Sequence, residues 1–236
     1  MKVPVEEYVK KMGRTYQRVL SWLKNAGILY SKIYVTEDYE EAIEEYVAEV
    51  FKKEYHEKVA GFCHKGNEYC VIAIDRKKSK YFKDGVFDIF LHELAHATTV
   101  DDYLYTMIAK TGERLNEYWA ETVRIYMKLI LKIEEATGKI RRNPFRILKF
   151  PLKKVLERIW KFTRKKIGRN IRKDVEFHIQ GELLVAEAEY GYRNEGDIKE
   201  LLIILNIIVA ILDDIIYIKK DIKLARKFLT YLLYMR

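Results

Sequence analysis

Basic residues are concentrated in one block of the chain, and this block limits how the chain can be divided into domains. Between 139 and 173 there are fifteen Lys and Arg residues and a single acid, a net charge of +14. The whole chain of 236 residues carries +9, which leaves −5 for the other 201 residues. Pro144 and Pro151 add breaks in regular structure near the start of the block. We therefore predict two parts, one domain over 1–138 and a helical C-terminal region over 139–236.

The apolar pattern before this block predicts an α+β fold. A small sheet containing a hairpin, followed by helices, is the arrangement that such a mixture of patterns favours. The predicted elements are a helix over 4–25 ending at Gly27, a strand over 29–35, a helix over 37–54 capped by Thr36, hairpin strands over 59–64 and 69–75, and helices over 85–99, 103–110 and 112–137.

The segment His92-Glu93-Leu94-Ala95-His96 carries the strongest chemical signal. Two His residues four positions apart lie on one face of a helix, so both imidazoles can reach a single ion. Zinc takes three protein ligands at a catalytic site and leaves a fourth position for water, whose pKa it lowers. Glu93, about 100° around the helix from His92, can accept a proton from that water and donate it to a leaving amine. The motif therefore predicts a zinc site with Glu93 as the catalytic acid and base.

Three acids are candidates for the third zinc ligand. Asp102 stands where the pattern HExxHxxGxxH/D would place its last ligand, but that pattern needs Gly for a sharp turn where Thr99 stands here. Glu117 and Glu121 lie in the segment NEYWAE, and twenty residues separate Glu117 from His96. This length suits a short return helix and an antiparallel pairing with the His helix. The segment NEYWAE is therefore the better candidate, with Glu117 and Glu121 both open at this point and Asp102 as the alternative.

The two segments together resemble the gluzincin metallopeptidases, in which HExxH is followed by a glutamate ligand in an NExxxD or ExxxE-type helix. The arrangement is similar to the small IrrE-type and ArdC-type zincins over roughly residues 30–137, although Glu121 replaces the usual Asp of the NExxxD form. The resemblance implies a minimal zincin-like domain whose hairpin strand offers an edge to an extended peptide. It also implies that His92, His96 and Glu117 are the zinc ligands. Glu93 would then be the general base, and Glu121 the carboxylate that orients a ligand imidazole.

The basic block contains an amphipathic pattern that predicts a helix with a charged surface. Its apolar stripe comprises Leu152, Val155, Leu156, Ile159, Trp160 and Thr163. Its predicted anion-binding residues are Lys153, Lys154, Arg158, Lys161, Arg164 and Lys165. Such a helix can contact nucleic-acid phosphates or an anionic membrane surface. A solvated surface offset by acidic residues over 37–57 is the alternative.

The longest apolar stretch, 201–212, predicts a buried helix or a contact with a second copy of the chain. Its twelve residues, at about 1.5 Å each, are too short for the roughly 30 Å of a bilayer core, so we expect no transmembrane span. Without an apolar N-terminal run, and with only Cys63 and Cys70, the chain is predicted to be cytoplasmic with reduced thiols. The two Cys would face each other across a two-residue turn at Gly66-Asn67. Few Gln and Ser among many Lys and Glu are typical of hyperthermophile proteins.

These patterns predict a zinc metallopeptidase that hydrolyses peptide bonds in a protein or peptide substrate. The basic block adds a predicted association with nucleic acid or with a mobile element. The alternative function is a protein that binds nucleic acid or a membrane surface and carries a structural or vestigial zinc site. An intact Glu93 favours the enzyme, because a purely structural site has no need of that acid.

Overall fold

The computed structural model describes residues 1–67, 69–111, 115–166, 173, 176–177, 179–181 and 198–235. The structure is 71% helical, with a small mixed four-stranded sheet followed by helices, which confirms the predicted α+β fold with a helical C-terminal region. The chain divides into two compact units, Met1–Arg124 and Ile125–Arg236. This division falls inside a long helix, Leu115–Thr137, whereas the boundary predicted after residue 138 falls just beyond its end.

The first unit contains the sheet and the helices that surround it. Its strands are β1 (Val3–Pro4), β2 (Lys32–Thr36), β3 (Gly61–Lys65) and β4 (Tyr69–Ile74). Its helices are α1 (Val5–Met12), α2 (Arg14–Ala26), α3 (Tyr39–Tyr46), α4 (Glu49–Glu57), α5 (Arg76–Ser79), α6 (Val86–His96), α7 (Thr99–Thr111) and the first turns of α8 (Leu115–Thr137). The strand order is β1-β2-β4-β3, with β2 and β4 parallel and the other two pairs antiparallel. Strand β3 is therefore an edge of this sheet.

Two of the predicted helices are each broken into two. The helix predicted over 4–25 is interrupted at Gly13, whose φ of +109° is a conformation that residues with a Cβ rarely adopt. Gly27 ends α2 in the left-handed conformation, as predicted. The helix predicted over 37–54 is interrupted at 47–48, where the backbone is extended. Thr36 was wrongly predicted as its cap, since Thr36 is the last residue of β2.

The hairpin prediction is confirmed, but the turn lies one residue further along the chain than Gly66-Asn67. Lys65 pairs with Cys70, and Cys63 pairs with Ile72. The backbone N–H of Gly66 donates to the carbonyl of Tyr69, so Gly66 continues the strand pairing. The prediction that the two Cys residues face each other was therefore wrong. They lie two positions apart along the ladder, and both thiols are free.

Packing of α6 on the sheet and of α8 on the α6–α7 turn positions the predicted site. Helix α6 packs against β3 and β4, and its apolar side chains are buried on that side. The indole of Trp119 in α8 is fully buried, and its Nε1 donates a hydrogen bond of 3.0 Å to the Thr98 hydroxyl. Thr98 in turn donates to the carbonyl of Ala95 at 2.7 Å. These contacts fix the position of the first turns of α8 relative to the end of α6.

The second unit is helical throughout its described residues. After the remainder of α8 it contains a 3₁₀ helix (Pro144–Lys149), α9 (Leu152–Lys166), α10 (Ile198–Asp213) with a π-helical continuation (Asp214–Ile218), and α11 (Ile222–Leu233). The apolar stripe predicted for α9 is buried or half-buried along its whole length. This burial explains why a helix with so many cations folds onto the rest of the unit.

The apolar segment of α10 is longer than the twelve residues predicted from the sequence. The helical turns continue through Asp213 and Asp214, so the apolar segment spans Lys199–Ile218, with a mean hydropathy of 2.5. By length and composition it could cross a membrane, yet 56% of the segment is buried within the protein, as in a core helix of a soluble domain. The absence of a transmembrane span, and a contact with a second copy through 201–212, both stay predictions.

Candidate metal centre

The end of α6 and the first turn of α8 bring three potential ligand atoms together. The Nε2 atoms of His92 and His96 are 3.2 Å apart. An Oε2 atom of Glu117 lies 3.3 Å from Nε2 of His92 and 3.5 Å from Nε2 of His96. The three atoms form a nearly equilateral triangle. Among the described residues, this is the grouping of His and acidic side chains close enough to share an ion.

The size of this triangle can be compared with the coordination geometry of zinc. A tetrahedral ion with bonds of about 2.0–2.2 Å has ligand atoms about 3.3–3.6 Å apart. The observed edges of 3.2, 3.3 and 3.5 Å lie within about 0.1 Å of this range. Two imidazole nitrogens and one carboxylate are also a donor set that zinc uses at catalytic centres. The residues present therefore fit a zinc ion.

The exposure of the three side chains increases from His96 through His92 to Glu117. The side chain of His96 is 10% exposed, that of His92 is 26% exposed and that of Glu117 is 50% exposed. The site is therefore closed on the His96 side, where the core lies, and open on the Glu117 side. A substrate can approach from the open side without displacing core residues.

Comparisons with models of known protein families, with curated proteins and with solved structures find no match for this chain. A function for the chain must therefore be inferred from the chemistry and geometry of the site. The motif residues and the ligand triangle are the two observations available for this inference.

The imidazole of His96 contacts the buried carboxylate of Asp101, a residue to which the sequence assigned no role at the metal site. Asp101 in the first turn of α7 is almost fully buried, and its Oδ1 lies 2.8 Å from Nδ1 of His96. An Nδ1–H that donates to a carboxylate leaves Nε2 free to face an ion and makes it a stronger ligand. Asp101 lies five residues past His96 and inside the first turn of α7, and no sequence pattern marked it for this role.

Lys65 connects this carboxylate to the edge strand. Its Nζ at the end of β3 contacts Oδ2 of Asp101 and lies 2.6 Å from Oδ1 of Asp102. Asp102 also accepts a hydrogen bond from the hydroxyl of Tyr30. Asp102, the alternative ligand, therefore interacts with Lys65 and Tyr30. It does not belong to the ligand triangle.

Glu121, the second alternative ligand, lies behind His92. One of its oxygens is 3.7 Å from Nδ1 of His92, which is an ion-pair distance and too long for a hydrogen bond. Arg124 holds this carboxylate through two contacts of 2.5 and 2.8 Å and donates a third hydrogen bond of 2.8 Å to the buried Asp88. Arg124 and Asp88 were not recognised in the sequence, because their pairing joins α8 to the start of α6 over 36 positions.

Glu93, the predicted general base, is buried between α6 and the edge strand. A Cβ placed on Gly61 of β3 would lie 3.1 Å from Oε1 of Glu93 and only 2.4 Å from Cγ2 of Ile89. Only a residue without a side chain allows the strand to pass so close to α6. The backbone of the edge strand therefore runs directly beside the carboxylate of Glu93.

The charges of the site strongly perturb its pKa values. Burial lowers the pKa of His92, but the carboxylates of Glu117 and Glu121 outweigh it and raise the pKa to about 9. Burial likewise lowers the pKa of His96, and Asp101 with Glu117 raises it to about 10. The two imidazoles hold the pKa of Glu117 far below its ordinary value. Without an ion the site is a cluster of paired charges, and a divalent cation would replace the imidazole protons.

The predicted anion-binding residues of α9 do not all lie on its exposed face. Lys153, Lys154, Lys161 and Arg164 are exposed, and all four lie on the solvent side of the helix. Arg158 is half-buried, with its guanidinium carbon 4.1 Å from the centre of the Tyr231 ring. The side chain of Lys165 lies outside the described residues. Arg158 therefore packs within the unit, and the exposed cations are fewer than the six predicted.

Proposed function

We propose that this chain is a zinc-dependent peptidase of the gluzincin type. The observation that carries the proposal is the triangle formed by His92, His96 and Glu117, whose edges suit a tetrahedral ion with one open position. A structural zinc site has four protein ligands, whereas three are grouped here among the described residues. The acid beside the first His, Glu93, supplies the proton acceptor that hydrolysis requires.

The proposed chemistry divides between the ion and the residues of the chain. When bound, zinc would supply a Lewis acid that polarises a carbonyl group and lowers the pKa of a water molecule. Glu93 would take a proton from the attacking water and deliver it to the leaving amine. Asp101 would keep Nε2 of His96 directed at the ligand position, and Glu121 with Arg124 would restrain His92 from behind.

The edge strand β3 is the proposed place for an extended substrate. Its outer backbone groups have no strand partner in the described sheet, so a peptide can add to that edge by main-chain hydrogen bonds. Gly61 of this strand lies against Glu93, which would bring a peptide on the edge near the general base. Recognition through the backbone predicts activity on unfolded or extended segments rather than on helices.

The decisive experiment replaces Glu93 with Gln and measures zinc content and peptide hydrolysis on the same preparation. We expect one equivalent of zinc in both proteins and a loss of hydrolysis of about 10²–10⁴-fold in the variant. Glu41→Gln is a matched control, because it removes an exposed carboxylate of the same unit and leaves the site untouched.

Two results would contradict the proposal. Equal cleavage by the wild type and Glu93→Gln would mean that the activity does not depend on this acid. Stoichiometric zinc without cleavage of casein or of a mixed peptide library would favour the alternative function, in which the zinc is not catalytic.

A further inference from the structure

The second unit contains a cavity of about 330 Å³ with a strongly cationic wall. Four of the residues around it carry a positive charge and none carries a negative charge. The cations are Lys139, Arg141, Arg142 and Arg226, and Thr230 is among the other residues of the wall. A concave surface lined by charges of one sign concentrates the electrostatic potential and attracts ions of the opposite sign.

Two of the four cations are held in position by the fold. Nη1 of Arg226 donates to the carbonyls of Thr137 and Gly138 and, at 2.8 Å, to the Thr137 hydroxyl at the end of α8. The guanidinium of Arg142 lies over the Tyr234 ring, 3.9 Å from its centre. Guanidinium groups held in this way lose little conformational freedom when they bind an anion.

The charges around the cavity are not neutralised by neighbouring acids. None of the four cations forms an ion pair with an acidic side chain of the described residues. The carboxylate of Glu134 accepts a hydrogen bond of 2.6 Å from the backbone N–H of Ile140. The carbonyl groups at the end of α8 carry only partial negative charge and compensate part of the charge of Arg226.

We propose that this cavity binds adjacent phosphate groups of a polyanionic ligand. Each phosphate monoester carries about −1.5 to −2 charges at pH 7, so two or more are needed to balance four cations. Arg141 and Arg142 can supply planar pairs of N–H donors that suit phosphate oxygens. Both terminal nitrogens of Arg226 already donate to backbone carbonyls, so this residue contributes mainly its charge. The volume lies at the lower end of the range of small-molecule sites, about 300–1,000 Å³, and a single phosphate would fill only part of it.

This site is separate from the predicted zinc site and from the exposed cations of α9. It does not depend on the peptidase proposal, because all of its residues lie in the second unit. The phosphate groups can belong to a free oligophosphate compound or to successive nucleotides of a nucleic acid. Both sources present adjacent phosphate groups, and a competition experiment distinguishes them.

The test measures binding of inorganic tripolyphosphate to the full-length protein by calorimetry at an ionic strength of about 0.15 M, where the Debye length is about 8 Å. The first variant, Lys139→Gln with Arg141→Gln, removes two exposed cations. It keeps the backbone carbonyl of Lys139, which accepts a hydrogen bond of 3.3 Å from Nη2 of Arg226. The matched control, Lys153→Gln with Lys154→Gln, removes the same charge from exposed positions of the same basic block outside the cavity. Circular dichroism verifies that both variants are folded.

We expect the cavity variant to weaken tripolyphosphate binding by about tenfold or more, since each lost cation removes a charge-assisted hydrogen bond. We expect the control to change the affinity by less than about twofold, the effect of distant screened charges. A single-stranded oligonucleotide that competes with tripolyphosphate, and that binds more weakly to the cavity variant than to the control, would identify nucleic acid as a phosphate source. An oligonucleotide that does not compete would leave a free oligophosphate as the ligand. No tripolyphosphate binding to the wild type at millimolar concentration, or equal losses in the two variants, would overturn the site.

Discussion

The hydrogen bond between Asp101 and His96 allows a sharp test of the metal centre. Asp101 and Asp102 are neighbours in α7 and both contact Nζ of Lys65, but only Asp101 reaches a potential zinc ligand. Replacing each in turn with Asn makes the same change of charge at adjacent positions. Any difference in zinc affinity between the two variants then reports the contact with His96.

The expected magnitude follows from what the substitution removes. Loss of an outer partner of a ligand His typically costs about 10- to 100-fold in metal affinity, or about 1.4–2.7 kcal/mol. Asn at position 101 keeps an oxygen that can accept from Nδ1 of His96 at 2.8 Å, but a neutral hydrogen bond is about half as strong as a charged one. We therefore expect about a tenfold loss for Asp101→Asn and a loss nearer 100-fold for Asp101→Ala.

The assay is a competition titration of zinc against a chromophoric chelator, together with the visible absorption spectrum of the cobalt-substituted protein. The spectrum should change for Asp101→Asn, because the ligand field depends on the orientation of His96, and should stay unchanged for Asp102→Asn. Thermal unfolding of the metal-free proteins separates lost affinity from lost folding. Equal losses in the two Asn variants, or full affinity in Asp101→Ala, would refute the proposed role of Asp101.

Three further predictions concern the ligand set, the edge strand and the protons of the site. Glu117→Ala should lose more zinc affinity than the roughly 100-fold that an outer partner contributes, measured by the same titration; one tightly held equivalent in this variant would move the third ligand to one of the two alternative acids. Gly61→Ala should lower the free energy of unfolding by about 1–3 kcal/mol in urea denaturation, because the new methyl group overlaps Ile89; an unchanged midpoint would show that the strand moves away freely. Zinc binding at pH 7 should release protons, since the neighbouring carboxylates raise the pKa of His92 to about 9 and that of His96 to about 10, and zinc takes both imidazoles in neutral form. The release should fall towards zero as the pH rises above 10, and calorimetry in buffers of different ionisation enthalpy measures it.

Local patterns were sufficient for some features of the site and insufficient for others. The spacing of His92 and His96 places both on one helical face whatever the rest of the chain does, because the period of the helix is a local property. The choice among Glu117, Glu121 and Asp102 was not local. It depends on how α8 lies against α6, and the burial of Trp119 under Thr98 sets that position.

The same distinction explains the corrected predictions of the fold. A turn between the two strands was recognisable from Gly66 and Asn67, but it lies one residue later than predicted, which shifts the cross-strand pairing by two residues. The helix over 4–25 has the apolar period of a single helix, and only the conformation adopted at Gly13 divides it. Both errors concern how far a pattern extends rather than which pattern is present.

By itself the sequence determined the α+β class, the two His residues on one helical face with Glu93 beside them, and the amphipathic nature of the basic helix. These features follow from residue types at fixed local spacing, and such spacing holds in any tertiary context. The tertiary structure alone decided which acid meets the two His residues, that Asp101 and Lys65 stand behind His96, and that four cations of the second unit surround one cavity. Each of these depends on contacts between residues distant in sequence, where packing of the core and not the local pattern sets the distances.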